Sequence, residues 1–472
     1  MVYRALGTRL FEKCWGNTGP QHLAKKELFY KVLVFLLTYM TYVGYHMAKR
    51  PITVVENSLK FLDCTNGTED ESEIDPNHPC NWAWVSEMNG KPEEKAESLI
   101  GNLQSAYTFS YAFFMFFSGM VAERMNLRYY LSLGLLLTAL ATYLFGFAHT
   151  VGIHHIWYFY LIMVFLGMVN STGWPGVVTA LSNWLGKSGF GTIFGKGTRG
   201  TLMGIWNTHM YLGNMLGLTI AAHFANQDWA LCFMYPALIV GIMGGIIFLF
   251  LIPQPSDIGL KNPNDVGLPE KVSSDKEEAI SFLGALKIPG VIEFSLCLFS
   301  AKLVSYVFLF WLPHYIKEET DAEAEYVSTL ANNFEWGSMI GGIVAGFLSD
   351  QTGGLNALIC TVMLIPSIPL MYFYNVLISD TCPLVVTDHG FQSGACYTTN
   401  VILLMLLGFL INGPFSLITT AVSAELGQHE SLKGSSKALA TVTAIIDGTG
   451  SIGRTLLINI VMFIYLSLQE LP

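Results

Sequence analysis

Long apolar runs alternate with short polar segments along almost the whole chain. The runs fall at about 28–48, 101–122, 129–148, 155–185, 201–224 and 229–252, then, after a polar stretch at 253–290, at about 291–316, 326–349, 355–378, 400–424 and 434–466. A helix rises about 1.5 Å per residue, so each run can cross roughly 30 Å of hydrocarbon. The pattern predicts an all-α membrane protein with a tail at 1–27, a first bundle at 28–252, a linker at 253–290 and a second bundle at 291–472. A long polar loop, 51–100, interrupts the first bundle. The first run follows Lys25-Lys26 and extends from Leu28 to Met47. It is too long for the apolar core of a cleaved signal, so a retained helix is expected.

Two segments repeat between the halves. Gly119-Met120-Val121-Ala122-Glu123-Arg124 and Gly346-Phe347-Leu348-Ser349-Asp350 both read Gly-x-x-x-acid at the end of an apolar run. Thr179-Ala180-Leu181-Ser182 is echoed in the same order by Thr420-Ala421-Val422-Ser423. A single echo can arise by chance, because small-xxx-small seams are common in membrane helices. Two echoes in order favour an internal duplication, as in two-halved transporters whose substrate site lies between the halves. The Gly-x-x-x-Asp/Glu element resembles the signature loop of the major facilitator superfamily, which implies a gating role for Gly119, Glu123, Arg124, Gly346 and Asp350.

Composition narrows the class. Of 472 residues, 52% are apolar and 13% charged, against about 25% charged in soluble proteins. Mean hydropathy is +0.45. The net charge of −10 comes largely from the loop near 56–97, and no basic tract or nucleic-acid motif occurs. Lys and Arg cluster in the amino-terminal tail (Arg4, Arg9, Lys13, Lys25, Lys26), after the fourth run (Lys187, Lys196, Arg199), in the linker and at Lys433. The alternate loops 149–154 and 225–228 have none. The positive-inside rule then predicts a cytosolic amino terminus. The loops 51–100 and 379–399 fall on the opposite, oxidising side, where Cys64 and Cys80, and Cys382 and Cys396, are expected to form disulfides. The sequon Asn66-Gly67-Thr68 lies on that side too and predicts a glycan, whereas Asn170-Ser171-Thr172 sits inside an apolar run.

Ionisable residues inside the spans carry information because they are costly there. Lys49 and Arg50 end the first run, where snorkelling to headgroups is an alternative to function. Lys302 lies about eleven residues into its run, near mid-membrane. A charge at that depth costs at least ~3 kcal/mol. Cations from equivalent helices of two halves suit a doubly charged anion. His209 reads equally as a core histidine or a site residue. Glu335 and Asp447 read as counter-ions to the buried cations.

Several stretches then carry a family resemblance: Tyr45-His46-Met47-Ala48-Lys49-Arg50-Pro51, Gly173-Trp174-Pro175, Trp206-Asn207-Thr208-His209, Ala301-Lys302-Leu303-Val304-Ser305-Tyr306, and residues 438–453 with Asp447. In order and spacing they resemble the organophosphate:phosphate antiporters, and most of all the sugar-phosphate exchanger family (solute carrier family 37). The resemblance implies two pseudo-symmetric six-helix bundles in the endoplasmic reticulum membrane. It implies exchange of a phosphorylated sugar such as glucose 6-phosphate for inorganic phosphate, or of glycerol 3-phosphate or another organophosphate. Substrate contacts are implied for Lys49 or Arg50, Lys302, His209, Tyr42 and Tyr45. Two departures stand out: the family order Arg-Lys is Lys49-Arg50 here, and Ser305 occupies the bacterial arginine position of helix seven. After Gly453 the family pattern stops, so about eleven helices are expected, without a twelfth, and a transport-inactive or regulatory form is an alternative. No nucleophile–base pair, metal cluster, phosphatase motif or cofactor motif points to an enzyme. The expected partners are the two phosphate compounds and the lipid bilayer, with no nucleic acid and a monomeric chain.

Overall fold

The computed structural model describes residues 20–60, 92–153, 155–185, 199–225, 227–260, 280–320, 324–377, 386–387, 390–391, 394–426 and 439–453. Its helices are α1 (Pro20–Ala48), α2 (Pro51–Lys60), α3 (Pro92–Arg124), α4 (Leu127–Thr150), α5 (Ile156–Asn170), α6 (Gly173–Leu185), α7 (Arg199–Ala225) and α8 (Trp229–Phe250). After a 3₁₀ turn at Pro255–Ile258 come α9 (Phe282–Leu286), α10 (Val291–Thr320), α11 (Ala324–Gln351), α12 (Asn356–Val376) and α13 (Ala395–Leu417). A π turn at Ile418–Val422 leads into α14 (Ser423–Leu426), and α15 spans 439–453. A two-residue antiparallel ribbon, β1 (Val386–Thr387) with β2 (Gly390–Phe391), precedes α13.

Among the described residues, seven helical segments are long and apolar enough to cross a membrane: Leu23–Val55, Leu127–Thr150, Ile156–Trp184, Trp229–Phe250, Val291–Leu309, Asn356–Val376 and Cys396–Thr420. The remaining long helices, α3, α7 and α11, have more polar and small residues. They lie where the halves meet: α7 packs on α11, and Gly119 of α3 on Ala440 of α15. A helix covered by protein on several sides needs no continuous apolar surface, which is why these three read less hydrophobic than their neighbours.

Two expectations change in detail. The polar stretch 51–100 is helical at both ends, because Pro51 occupies the first position of α2 and Pro92 that of α3, where proline's missing N–H is no loss. The run 155–185 is divided at Ser171 and Thr172, just before Gly173-Trp174-Pro175. Residues after 453, where the twelfth helix was expected to be missing, lie outside the described residues, as do Cys64, Asn66, Cys80 and Cys382. Cys396 is disulfide-bonded.

Close helix approach depends on glycine. Gly200 and Gly204 of α7 meet Gly346 and Gly342 of α11 backbone to backbone, so a Cβ at Gly204 would lie 2.6 Å from the Gly342 carbonyl oxygen. The other face of α7 uses Gly213 and Gly217 against α1, where added Cβ atoms would lie 2.6 Å from the Val43 and Met47 oxygens. Within the second half, an added Cβ at Gly337 would overlap the Met405 carbonyl of α13. Gly245 of α8 has nothing within 4 Å. Overpacking of this kind costs about 1–3 kcal/mol. Gly337→Val should therefore lower the melting temperature of the detergent-purified protein by several degrees, and Gly245→Val should leave it unchanged. Equal melting of the two variants would contradict the packing described here.

Candidate anion site between the halves

A chamber opens between the two sets of helices. The first half contributes Tyr42, Tyr45, His46 and Lys49 from α1 and its end, Tyr107 and Tyr111 from α3, Asn170 and Trp174, and Asn207 and Met210 from α7. The second half contributes Lys302 and Tyr306 from α10, Phe415 and Thr419, and Asp447 from α15. Lys49 and Lys302, cations from equivalent helices, thus line one chamber. Both are buried, and the Lys49 ammonium lies over the Tyr306 ring at 5.5 Å from its centroid. Such a contact stabilises a cation without neutralising it.

Lys302 is held differently. Its Nζ donates to Asp447 Oδ1 at 2.5 Å, to the Asp447 carbonyl at 3.1 Å and to Ser451 Oγ at 3.1 Å. All three donor positions of the ammonium are used, as a charge in a dry site requires. Tyr111 of the first half donates to the other carboxylate oxygen, Oδ2, at 3.0 Å. Asp447 is therefore both the counter-ion of Lys302 and a bridge between halves.

Arg50 is buried but is not in the cavity wall. Its Nη1 donates to the Leu309 carbonyl of α10 at 2.8 Å, and its Nε has no hydrogen-bond partner among the described residues. Glu335 of α11 makes no ion pair within 4.0 Å among the described residues. Its Oε1 accepts from Asn214 Nδ2 at 3.3 Å, while Arg50 first and Lys49 second act on it electrostatically. The Asn214 Oδ1 in turn faces His46 Nδ1 at 3.1 Å. His209 is fully buried behind the wall, boxed by Trp206 and Tyr42 at ring distances of 4.5 and 4.6 Å, and neither ring nitrogen has a hydrogen-bond partner among the described residues. Tyr45 donates to or accepts from Thr172 at 3.0 Å.

The duplicated Gly-x-x-x-acid segments lie at the end of the bundle where α1 begins, and they make equivalent contacts. Asp350 accepts from the Gly200 and Thr201 amides and the Thr201 hydroxyl, each at 2.7 Å, at the start of α7. Glu123 accepts from the Thr441 amide at 3.0 Å, near the start of α15. In both, an acid of one half satisfies amide groups at a helix amino terminus of the other, where the helix dipole favours negative charge. Arg124 instead turns onto its own helix, donating to the Met120 carbonyl at 2.7 Å.

The sequence reading passed over His46, Asn214, Tyr111 and Ser451. Asn214 had a signal: a lone amide between Gly213 and Gly217 on a helix with glycines on two faces. Tyr111 had none, because an aromatic residue in a Phe- and Tyr-rich helix looks like any other.

The Major Facilitator Superfamily profile matches residues 93–457. The mouse glucose-6-phosphate exchanger SLC37A2 is 43% identical over 461 residues, covering 91% of this chain and 86% of its own. The human SLC37A2 protein is 43% identical over 465 residues, with the same coverage of 91% and 86%. The chain belongs to solute carrier family 37. The human glucose-6-phosphate exchanger SLC37A1 is 36% identical, covering 91% of this chain and 87% of its own. The crystal structure of a D-xylose-proton symporter aligns over 91% of this chain and 90% of its own with a TM-score of 0.54 at 12% identity, a likeness of fold alone. As a family 37 member the chain is a multi-pass membrane transporter of the major facilitator superfamily, not an enzyme.

Asp350→Asn should weaken the contact at the α7 start by about 1–2 kcal/mol, the scale of a charge at a partly buried helix terminus. Thiol-reagent access to a cysteine placed at Thr201 should then rise several-fold in membranes, while Arg124→Gln should change it little. No change with Asp350→Asn would contradict a stabilising contact between Asp350 and the start of α7.

Proposed function

We propose that this transporter exchanges a phosphorylated sugar, glucose 6-phosphate or a close relative, for inorganic phosphate by alternating access. The observation that carries the reading is the pair of lysines, Lys49 and Lys302, lining one chamber from equivalent helices of the two halves. Such a chamber suits a doubly charged phosphoryl group whose sugar is held by the Tyr, Trp and Asn side chains around it. The mouse and human relatives are glucose-6-phosphate exchangers, which supports the same substrate class.

In this reading the empty site keeps Lys302 on Asp447. An entering phosphate competes with Asp447 for the Lys302 ammonium and draws on Lys49, which lines the same chamber. Arg50, through Leu309, and Glu335, through Asn214, tie the halves near the site rather than touching the phosphate. Tyr42 and Tyr45 form its α1 wall. His209 shapes that wall from behind. Breaking Lys302–Asp447 for an anion and reforming it on release gives each exchange step a charge-compensated site, which favours exchange over one-way leak. The membrane is that of the endoplasmic reticulum, with the amino terminus cytosolic and the 51–100 loop lumenal.

Liposomes loaded with phosphate should take up labelled glucose 6-phosphate by counterflow, and unloaded ones should not. Uptake indifferent to internal phosphate but driven by a proton or sodium gradient would overturn the exchange reading. Lys302→Ala should abolish counterflow and, by leaving Asp447 unpaired, destabilise the protein by about 3–5 kcal/mol. Lys302→Ala with Asp447→Asn should recover stability but not transport, and Lys302→Arg should rescue poorly because the guanidinium fork differs in shape from an ammonium. Transport by the double variant would remove Lys302 from the site. For the orientation, Asn66→Gln should shift the protein to a faster-migrating form on a gel, and an unchanged mobility would count against a lumenal 51–100 loop.

A further inference from the structure

Inorganic phosphate and a phosphorylated sugar share the phosphoryl group and differ in everything else. Lys49 and Lys302 serve the shared part. The rest of a sugar phosphate is a ring with apolar C–H faces and an edge of hydroxyl groups that donate as well as accept. A wall that recognises it needs apolar surface and a neutral acceptor. An acceptor oxygen offers nothing to a bare anion.

One stretch of the chamber wall has both. Trp174 of α6 and Phe415 of α13 line it from the two halves, at the same spacing along the chain as the duplicated Thr179 and Thr420. Asn207 of α7 lines it beside them. The preceding residue, Trp206, lies 5.9 Å from Trp174 between ring centroids, and the Asn207 side chain reaches Ser416, the residue after Phe415.

The contacts of the Asn207 amide decide what it can offer. Its Nδ2 donates to Ser416 Oγ at 2.7 Å, the one hydrogen bond of this side chain among the described residues. Ser416 is itself held: it is buried, and its hydroxyl stands 2.9 Å from where a Cβ at Gly342 of α11 would be. The amide is thereby oriented across the interface, and Oδ1, which can only accept, remains for a ligand. Two other polar wall residues are already engaged. Asn170 bonds to Thr138 and Tyr107 at 3.4 Å each, and the Thr419 hydroxyl donates to the Phe415 carbonyl at 2.9 Å.

We infer that Asn207, set by Ser416, is the specificity determinant for the sugar: its Oδ1 accepts from a ring hydroxyl, with Trp174 and Phe415 against the ring. The inference rests on the exchanger reading above and adds how one chamber tells its two partners apart. Inorganic phosphate sits at the lysines and leaves the Asn207 side to water, which donates to Oδ1 in place of the sugar. A sugar phosphate lacking the matching hydroxyl puts a C–H group there and leaves Oδ1 unpaired, so it is rejected. Ser416 is a positioning residue that acts through the Asn207 amide.

The test is initial-rate exchange by the full chain in phosphate-loaded liposomes. Outside are labelled inorganic phosphate, labelled glucose 6-phosphate, or analogues of the latter with one ring hydroxyl removed at a time. In wild type one analogue should show a KM about tenfold above that of glucose 6-phosphate, the scale of a hydrogen bond lost with its partner left unpaired. Asn207→Leu should raise the ratio of the glucose 6-phosphate KM to the phosphate KM about tenfold, and should no longer distinguish that analogue. Ser416→Ala should raise the same ratio several-fold and blunt the same distinction, whereas a loss of packing alone moves both KM values together. Equal rises of the two KM values in Asn207→Leu overturn the inference, as does an analogue preference that survives the substitution undiminished. Should that variant fail to fold, wild type still decides: acceptance of every analogue as readily as glucose 6-phosphate contradicts the inference. A wild type that exchanges phosphate but carries no sugar phosphate defeats the exchanger reading first and this inference with it.

Discussion

A charge inside the hydrocarbon layer must be compensated by the protein itself, and in this chain that requirement organises the centre. Lys302 could not stay charged at its depth without Asp447, and Asp447 is reached from the other half by Tyr111. The same demand accounts for Lys49 over the Tyr306 ring, Arg50 on the Leu309 carbonyl and Glu335 on the Asn214 amide. Each of the last two contacts joins a residue of the first half to one of the second. The polar interior is thus also the set of ties between the two halves.

These ties need helices that approach closely. Glycines on two faces of α7 let it sit against α1 on one side and α11 on the other, which brings Asn214 between His46 and Glu335. Further along the same interface, Asn207 donates to Ser416 at 2.7 Å and Tyr211 to the Asn412 carbonyl at 3.3 Å. At the end where α1 begins, Asp350 and Glu123 make the paired helix-terminus contacts. Small residues set the spacing, and polar groups then fix which faces meet.

Much of this could be read from the sequence because membrane helices are long, continuous and apolar. The spans, the duplicated loops and the buried cations follow from hydropathy, repetition and cost. The Lys302–Asp447 pair was foreseeable as a type, since a buried cation needs an acid, but nothing in the sequence says which of Glu335 and Asp447 serves it. The relay from His46 through Asn214 was not legible, because it joins three helices whose mutual rotation depends on glycine contacts distant in sequence. For the same reason the sequence left His209 open between a core histidine and a site residue, and the rotation of α7 places it in an aromatic box with Trp206 and Tyr42. The helical start at Pro51 was missed because the hydropathy pattern ends before it.

The central claim is that the chamber between Lys49 and Lys302 holds the phosphoryl group. A structure determined with inorganic phosphate present tests it most directly. The account predicts tetrahedral density in that chamber within hydrogen-bond reach of Lys49 and Lys302, with the Lys302–Asp447 contact lengthened. Phosphate density elsewhere, or an empty chamber with Lys302 still closed on Asp447 at saturating phosphate, would contradict it.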